Sequence, residues 1–228
     1  AEGGFRVWVV EAHGVDFRSH IVDIGISRTL EEIWDGKIRA AYEHLDGGNP
    51  MMPHAAGVDS GWDAKKTYDF CNTHNGLQAM KGSSTDIGHP HRLNEVKDGA
   101  HAGQSLLSVN TDFWETDLQA RLDERLPEDA ESLSMFAGCD RDMDFLEQLC
   151  NGTVGDKVDA RGNAKLLWIK KDESQPNDFR DAVRYGLALA HAFVVENGGF
   201  PPRGNIYTGA KTVVNSGQKR PDGRAWNE

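Results

Sequence analysis

Two acidic positions have the surroundings that metal-assisted chemistry needs. Asp59 lies in Gly57-Val58-Asp59-Ser60-Gly61-Trp62, where a short apolar run gives way to small residues. An acid at such a point sits beyond the carboxyl end of a strand, where α/β sheets present ligands, and Ser60 and Gly61 leave room for a phosphate or a metal ion. The same pattern also suits an aspartate that caps a helix or closes a turn. Asp181 lies in Pro176-Asn177-Asp178-Phe179-Arg180-Asp181. Asn177 or Asp178 can cap the following helix, which puts Asp181 in the first turn, where the helix dipole keeps a carboxylate ionised. Asp178 competes for the same role, and first-turn acids also occur for stability alone. Carboxylates that converge from separate elements are what two-metal phosphodiester hydrolysis requires, with Mg2+ or Mn2+ ions ~3.5–4 Å apart. Spacing along a sequence does not show convergence.

Other reactive residue types point less clearly. His89-Pro90-His91 with His101 admits a zinc reading, but a proline between two histidines in a Gly/Ser context more often marks a solvated loop. Cys71, Cys139 and Cys150 are odd in number and widely spaced, with no C-x-x-C, so they read as buried or half-buried thiols. Trp8, Trp34, Trp62, Trp114 and Trp168 mostly fall on expected elements, which suits core packing.

The elements that must position these residues can be followed along the chain. Phe5 to Ala12 reads as a strand and Ser19 to Gly25 as its hairpin partner. Thr29-x-x-Glu32 has capping-box form, and Leu30, Ile33, Trp34, Ile38, Tyr42 and Leu45 continue at helical spacing to Gly47-Gly48. After Asp59 a helix is expected over 63–75, a strand over 77–80, a long loop over 82–103, a strand over 106–109 and a helix over 111–126. A short strand over 132–136, a helix over 140–150 and a strand over 165–169 follow. The last helix carries the apolar stripe Phe179, Val183, Leu187, Ala190 and Val194, and Gly198-Gly199 stops it. Antiparallel strands followed by alternating strands and helices predict an α/β fold, a mixed sheet flanked by helices. The expected division is one domain over 1–199 and a flexible, mildly basic tail over 200–228.

Composition narrows the function classes. The 228 residues are 38% hydrophobic and 27% charged, enough for one domain with a sizeable core. No run approaches the ~20 apolar residues of a membrane span, and nothing resembles a signal peptide, so a soluble intracellular protein is expected. The formal charge of −11 argues against tight sequence-independent DNA binding by this chain alone, since such binding runs on Lys and Arg. No G-x-x-x-x-G-K-[ST] motif occurs, so the sequence offers no P-loop for nucleotide hydrolysis.

Several segments resemble, in order, the lambda-type (GpA-like) terminase large subunits. Asp59-Ser60-Gly61, Tyr68-Asp69-Phe70-Cys71 and Lys81-Gly82 resemble the family's strand end, helix and following strand. Leu107 to Asp112, Phe145-Leu146-Glu147-Gln148-Leu149, and Trp168-x-Lys170 followed by Asn177-x-x-x-Asp181 resemble its later segments. The resemblance covers about residues 5–197. It implies a ribonuclease-H-like nuclease that cuts concatemeric phage DNA by two-metal hydrolysis using Mg2+ or Mn2+. Asp59 and Asp181 would be the catalytic acids and metal ligands, with Asp178 as a further ligand and Lys81 as a phosphate contact. Implied partners are double-stranded DNA, an ATPase domain upstream, the small terminase subunit and the portal, in the cytoplasm of the host. The family's first acid lies on a strand preceding the one at Phe5 to Ala12, where this sequence has Ala1-Glu2-Gly3-Gly4. Glu11 and Asp16 are the candidate substitutes. That departure, with the charge, favours a rival reading: a catalytically silent module that docks to the portal or small subunit.

Overall fold

The computed structural model describes residues 5–14, 17–43, 47–83, 85, 87–97, 99–123, 133–158 and 164–197. The expected tail over 200–228 lies outside the described residues. β1 (Arg6–His13) and β2 (Ser19–Ser27) form the predicted hairpin, running from Arg6 opposite Ser27 to His13 opposite Ser19. Alternation sorts β1: Val7 and Val9 face the main core, while Trp8 turns to the other side and donates through Nε1 to Ser27 Oγ at 3.1 Å.

The helix expected from Thr29 onward is short. Thr29 Oγ1 accepts from Glu32 N, and α1 (Leu30–Ile33) then widens into a π-helical turn over Trp34–Ile38. Tyr42 leaves the helix to form a bridge with Met51. Asp23 on β2 draws Lys37 to 2.8 Å, and Gly36 in the same turn lowers its helix propensity, so the longer helical period is overridden.

β3 (Ala56–Asp59) leads to α2 (Ala64–Thr73), which Asp63 caps by accepting from Lys66 N. β4 (Leu77–Ser83) follows. The segment expected as a loop contains β5 (His91–Glu95), which pairs antiparallel with β6 (Ser105–Asn110). Its sequence, HRLNE, has a single large apolar residue, Leu93, and so carries little strand signal; a free sheet edge recruits it. α3 (Thr111–Asp123), β7 (Leu133–Met135) and α4 (Met143–Leu149) come next. β8 (Gly152–Val158) pairs with β9 (Ala164–Lys170), and α5 (Asp178–Asn197) ends the described chain.

Two sheets meet around α5. One has the order β1-β2-β7, and the other β3-β4-β6-β5, in which only β5 runs antiparallel. α5 packs against both β1 and β3. On the opposite face Trp8 of β1 and Val58 of β3 join one apolar cluster with Leu30, Ile33 and Phe70. β1 and β3 are thus covered by the same layers, yet among the described residues they share no ladder. The whole is a mixed α/β arrangement of the ribonuclease-H-like kind.

Phe179, Val183 and Leu187 are buried as the stripe predicts, and each contributes roughly 1.5–3 kcal/mol of apolar burial. Between them lies a feature the stripe does not show. Arg180 and Arg184 both enter the core and close on the fully buried Glu115 of α3, at 2.8 and 2.6 Å. Arg180 also donates to Leu149 O at 2.6 Å and Gln119 Oε1 at 3.2 Å. Glu115→Ala is expected to destabilise the chain by about 3–5 kcal/mol in urea denaturation, because two guanidinium groups would stay buried without their carboxylate. Glu115→Gln keeps one acceptor and should lose less.

Candidate active site at the β3 and α5 ends

Ser60 fixes the end of β3. It is buried, and both its N–H and its hydroxyl donate to Met80 O at 2.8 Å. Thr67 of α2 donates to Asp59 O at 3.2 Å. The backbone of Asp59 is therefore held between β4 and α2 while its carboxylate stays exposed. Asp59 does not cap α2, since Asp63 does; its Oδ1 accepts from Gly61 N at 3.0 Å.

α5 starts at Asp178, so Asn177 takes the cap position, and Asp181 N bonds to Asn177 O at 2.9 Å. Asp181 Oδ1 receives Arg184 Nη1 at 3.1 Å and Asn177 Nδ2 at 3.2 Å. The neighbouring Tyr185 hydroxyl donates to Asp59 Oδ1 at 3.3 Å and accepts from Gly82 N at 2.8 Å. Consecutive residues of α5 therefore engage the two aspartates. Asp59 and Asp178 are near enough to Asp181 for their charges to act on it.

The Asp181 carboxyl is pushed up to about 6, chiefly by burial; Arg184 opposes this, and the charges of Glu115, Asp178 and Asp59 add to it. Its side chain is 34% exposed, so the site is a crowded rim rather than a sealed pocket. Tyr185 is pushed up to about 12, first by burial and then by Asp59. Both aspartates accept their hydrogen bonds at Oδ1, and neither Oδ2 has a donor among the described residues. Two hard oxygens short of positive charge suit a divalent cation, though no group of three His, Cys, Asp or Glu side chains that could hold an ion forms among the described residues.

Of the two candidate substitutes for a first acid, Asp16 lies outside the described residues. Glu11 is buried, with Oε2 3.1 Å from His13 Nε2, and its pKa is raised by burial against the pull of His13 and Arg121. A Cβ at Gly186 would lie 2.5 Å from Glu11 Oε1, so the helix needs glycine there. None of these neighbours is shared with Asp181. Lys81, on β4 one position past Asp59's ladder partner Met80, is exposed.

Three sequence expectations are corrected. His101 does not join His89 and His91; it packs on Tyr68 and lies 3.8 Å from Asp69. His91 instead meets His191 of α5, Nδ1 to Nδ1, at 3.4 Å. Cys150 is exposed rather than buried. Trp62 is 65% exposed rather than in the core, because it sits in the turn after β3 and not on an element. The buried Glu115, Arg180 and Arg184, and also Tyr185, escaped sequence reasoning. The available signal was a pair of arginines one helical turn apart beside the apolar stripe of α5.

Burial lowers His91 to about 4, with His89 adding to the effect. A base held below its usual value near 6.5 contributes stability that is complete above pH ~6.5 and lost as pH falls towards 4. Asp181 has the opposite sign over an overlapping range, because a raised carboxyl gains stability on protonation. Chemical denaturation between pH 7.5 and 4 should therefore show His91→Asn losing about 2–3 kcal/mol less than the parent. Equal losses in the two proteins would refute the buried neutral state of His91.

No curated protein and no solved structure gives a significant match. The profile of the family described as "Terminase large subunit gpA, endonuclease domain" matches residues 8–200, which includes Asp59, Lys81, Asp178 and Asp181. The chain belongs to the terminase large subunit gpA endonuclease domain family.

Proposed function

We propose that this chain is a metal-dependent DNA endonuclease domain that cuts concatemeric viral DNA during packaging. The observation that supports the reading is that adjacent residues of α5 engage the two aspartates, Arg184 holding Asp181 and Tyr185 donating to Asp59, each aspartate keeping an oxygen without a donor among the described residues. These two residues, with Asp178, would hold Mg2+ or Mn2+. Bound there, divalent ions would supply water activation and charge stabilisation at the scissile phosphodiester.

The protein's own residues prepare that site. Arg184 holds Asp181 from one side, and its charge is shared with Glu115, so it steadies the carboxylate without fully neutralising it. Tyr185 orients Asp59 through its hydroxyl and locks β4 through Gly82. The resulting deficit of positive charge favours cation binding over an internal ion pair. Lys81 is proposed as a phosphate contact. Double-stranded DNA is the proposed substrate, with the terminase ATPase domain, the small subunit and the portal as partners in the host cytoplasm. No helix among the described residues is long and apolar enough to cross a membrane.

The reading also calls for the acid that the resemblance sets on a strand ahead of β1. We place it on a strand between β1 and β3, whose facing edges are unpaired among the described residues beneath the same helix. The rival reading, a silent docking module, draws on the charge of −11 and on the lack of a three-carboxylate group among the described residues. A preparation extended upstream by one strand should nick or linearise plasmid in Mn2+ and stop in EDTA. Asp59→Ala and Asp181→Ala should each reduce cutting at least ~100-fold, whereas Lys81→Ala should chiefly weaken substrate binding. If the extended protein neither binds Mn2+ nor cuts, the docking module is the correct reading; if both alanine variants still cut, these aspartates are not the site.

A further inference from the structure

The turn that leaves the Asp59 strand carries a large aromatic ring into solvent. Trp62 is 65% exposed, unlike Trp114, which is 2% exposed in the core. It follows Asp59-Ser60-Gly61 directly, so its Cα lies within about 11 Å of that of Asp59. Gly61 N is tied to Asp59 Oδ1 and Asp63 caps α2, so both sides of the turn are anchored and the ring projects from a fixed base. On its face lies the guanidinium of Arg6, 5.1 Å from the ring centroid, reaching over from β1.

Within a molecule of formal charge −11, Arg6 lies on the Trp62 ring, and Lys65 and Lys66 follow three and four residues later at the start of α2. Of the acids nearby, Asp63 caps α2, Asp69 pairs with Lys65 at 3.7 Å, and Asp59 accepts from Gly61 N and the Tyr185 hydroxyl. A few cations around one exposed indole form a platform for a nucleobase, with the backbone phosphates drawn to the rim. Where phosphate contacts are few, stacking is the affinity source that salt does not screen.

We propose that Trp62 stacks on an unpaired base of DNA beside the cleavage site, with Arg6 steadying the ring. The proposal rests on the nuclease reading for its substrate. An intact duplex offers no free base face to the ring, so the contact favours single-stranded, frayed or opened DNA.

The test is binding by the 228-residue chain in EDTA, where no cutting occurs, with a labelled oligothymidylate strand and a blunt duplex of equal length as probes. Trp62→Ala should weaken single-strand binding about 5- to 100-fold, and Trp62→Phe should keep most of it. The ratio of parent to Trp62→Ala should be the same in low and high salt, and duplex binding should be unchanged. The proposal is overturned if Trp62→Ala binds the single strand as tightly as the parent. Equal losses on duplex and single strand, a ratio that collapses in high salt, or no measurable single-strand binding by the parent would also overturn it. Because the readout is binding without metal, its failure leaves the Asp59 and Asp181 cutting assays to decide the nuclease reading separately.

Discussion

A buried carboxylate between two buried guanidinium groups sets the rest of the molecule. Glu115 of α3 receives Arg180 at one oxygen and Arg184 at the other, and all three lie out of contact with bulk water. Such a cluster tolerates little displacement, because a separated charge in that environment costs several kcal/mol. It fixes the rotation of α5 about its own axis. Arg184 reaches Asp181 one turn back on the same helix, and once the rotation is fixed the following residue, Tyr185, reaches Asp59 and Gly82. The contacts that Asp59 and Asp181 make with α5 therefore follow from how that helix is set in the core.

The cluster also governs the charge of the site. If Arg184 served Asp181 alone, the pair would be neutral and a cation would have little to gain. Shared with Glu115, it does not offset burial, which pushes Asp181 up to about 6 with the charges of Glu115, Asp178 and Asp59 adding to it. A carboxylate in that state binds either a proton or a metal ion, and the two compete.

Much of this was legible in the sequence. The β1–β2 hairpin, α2, α3 and the stripe of α5 follow from alternation, capping residues and apolar period, and the ordered motifs identified the family. What was missed depended on contacts remote in sequence. β5 has almost no apolar pattern and exists because β6 offers it an edge. α1 gives way to a π turn where Lys37 is drawn to Asp23 and Tyr42 pairs with Met51. Trp62 looked like a core residue by type, and only its place in a turn exposes it. Asp59 and Asp181 were legible as candidates. Their link through neighbouring residues of α5 was not, because Tyr185 and Arg184 show no motif of their own.

The central claim is that Asp59 and Asp181 share divalent cations. Crystals of the chain extended upstream by one strand and soaked in Mn2+ would test it by anomalous scattering. The account predicts a manganese peak within ligating distance, about 2.0–2.3 Å, of carboxylate oxygens from both residues. A peak bound by neither aspartate, or the two carboxylates turned to separate sites in a fully loaded crystal, would contradict it.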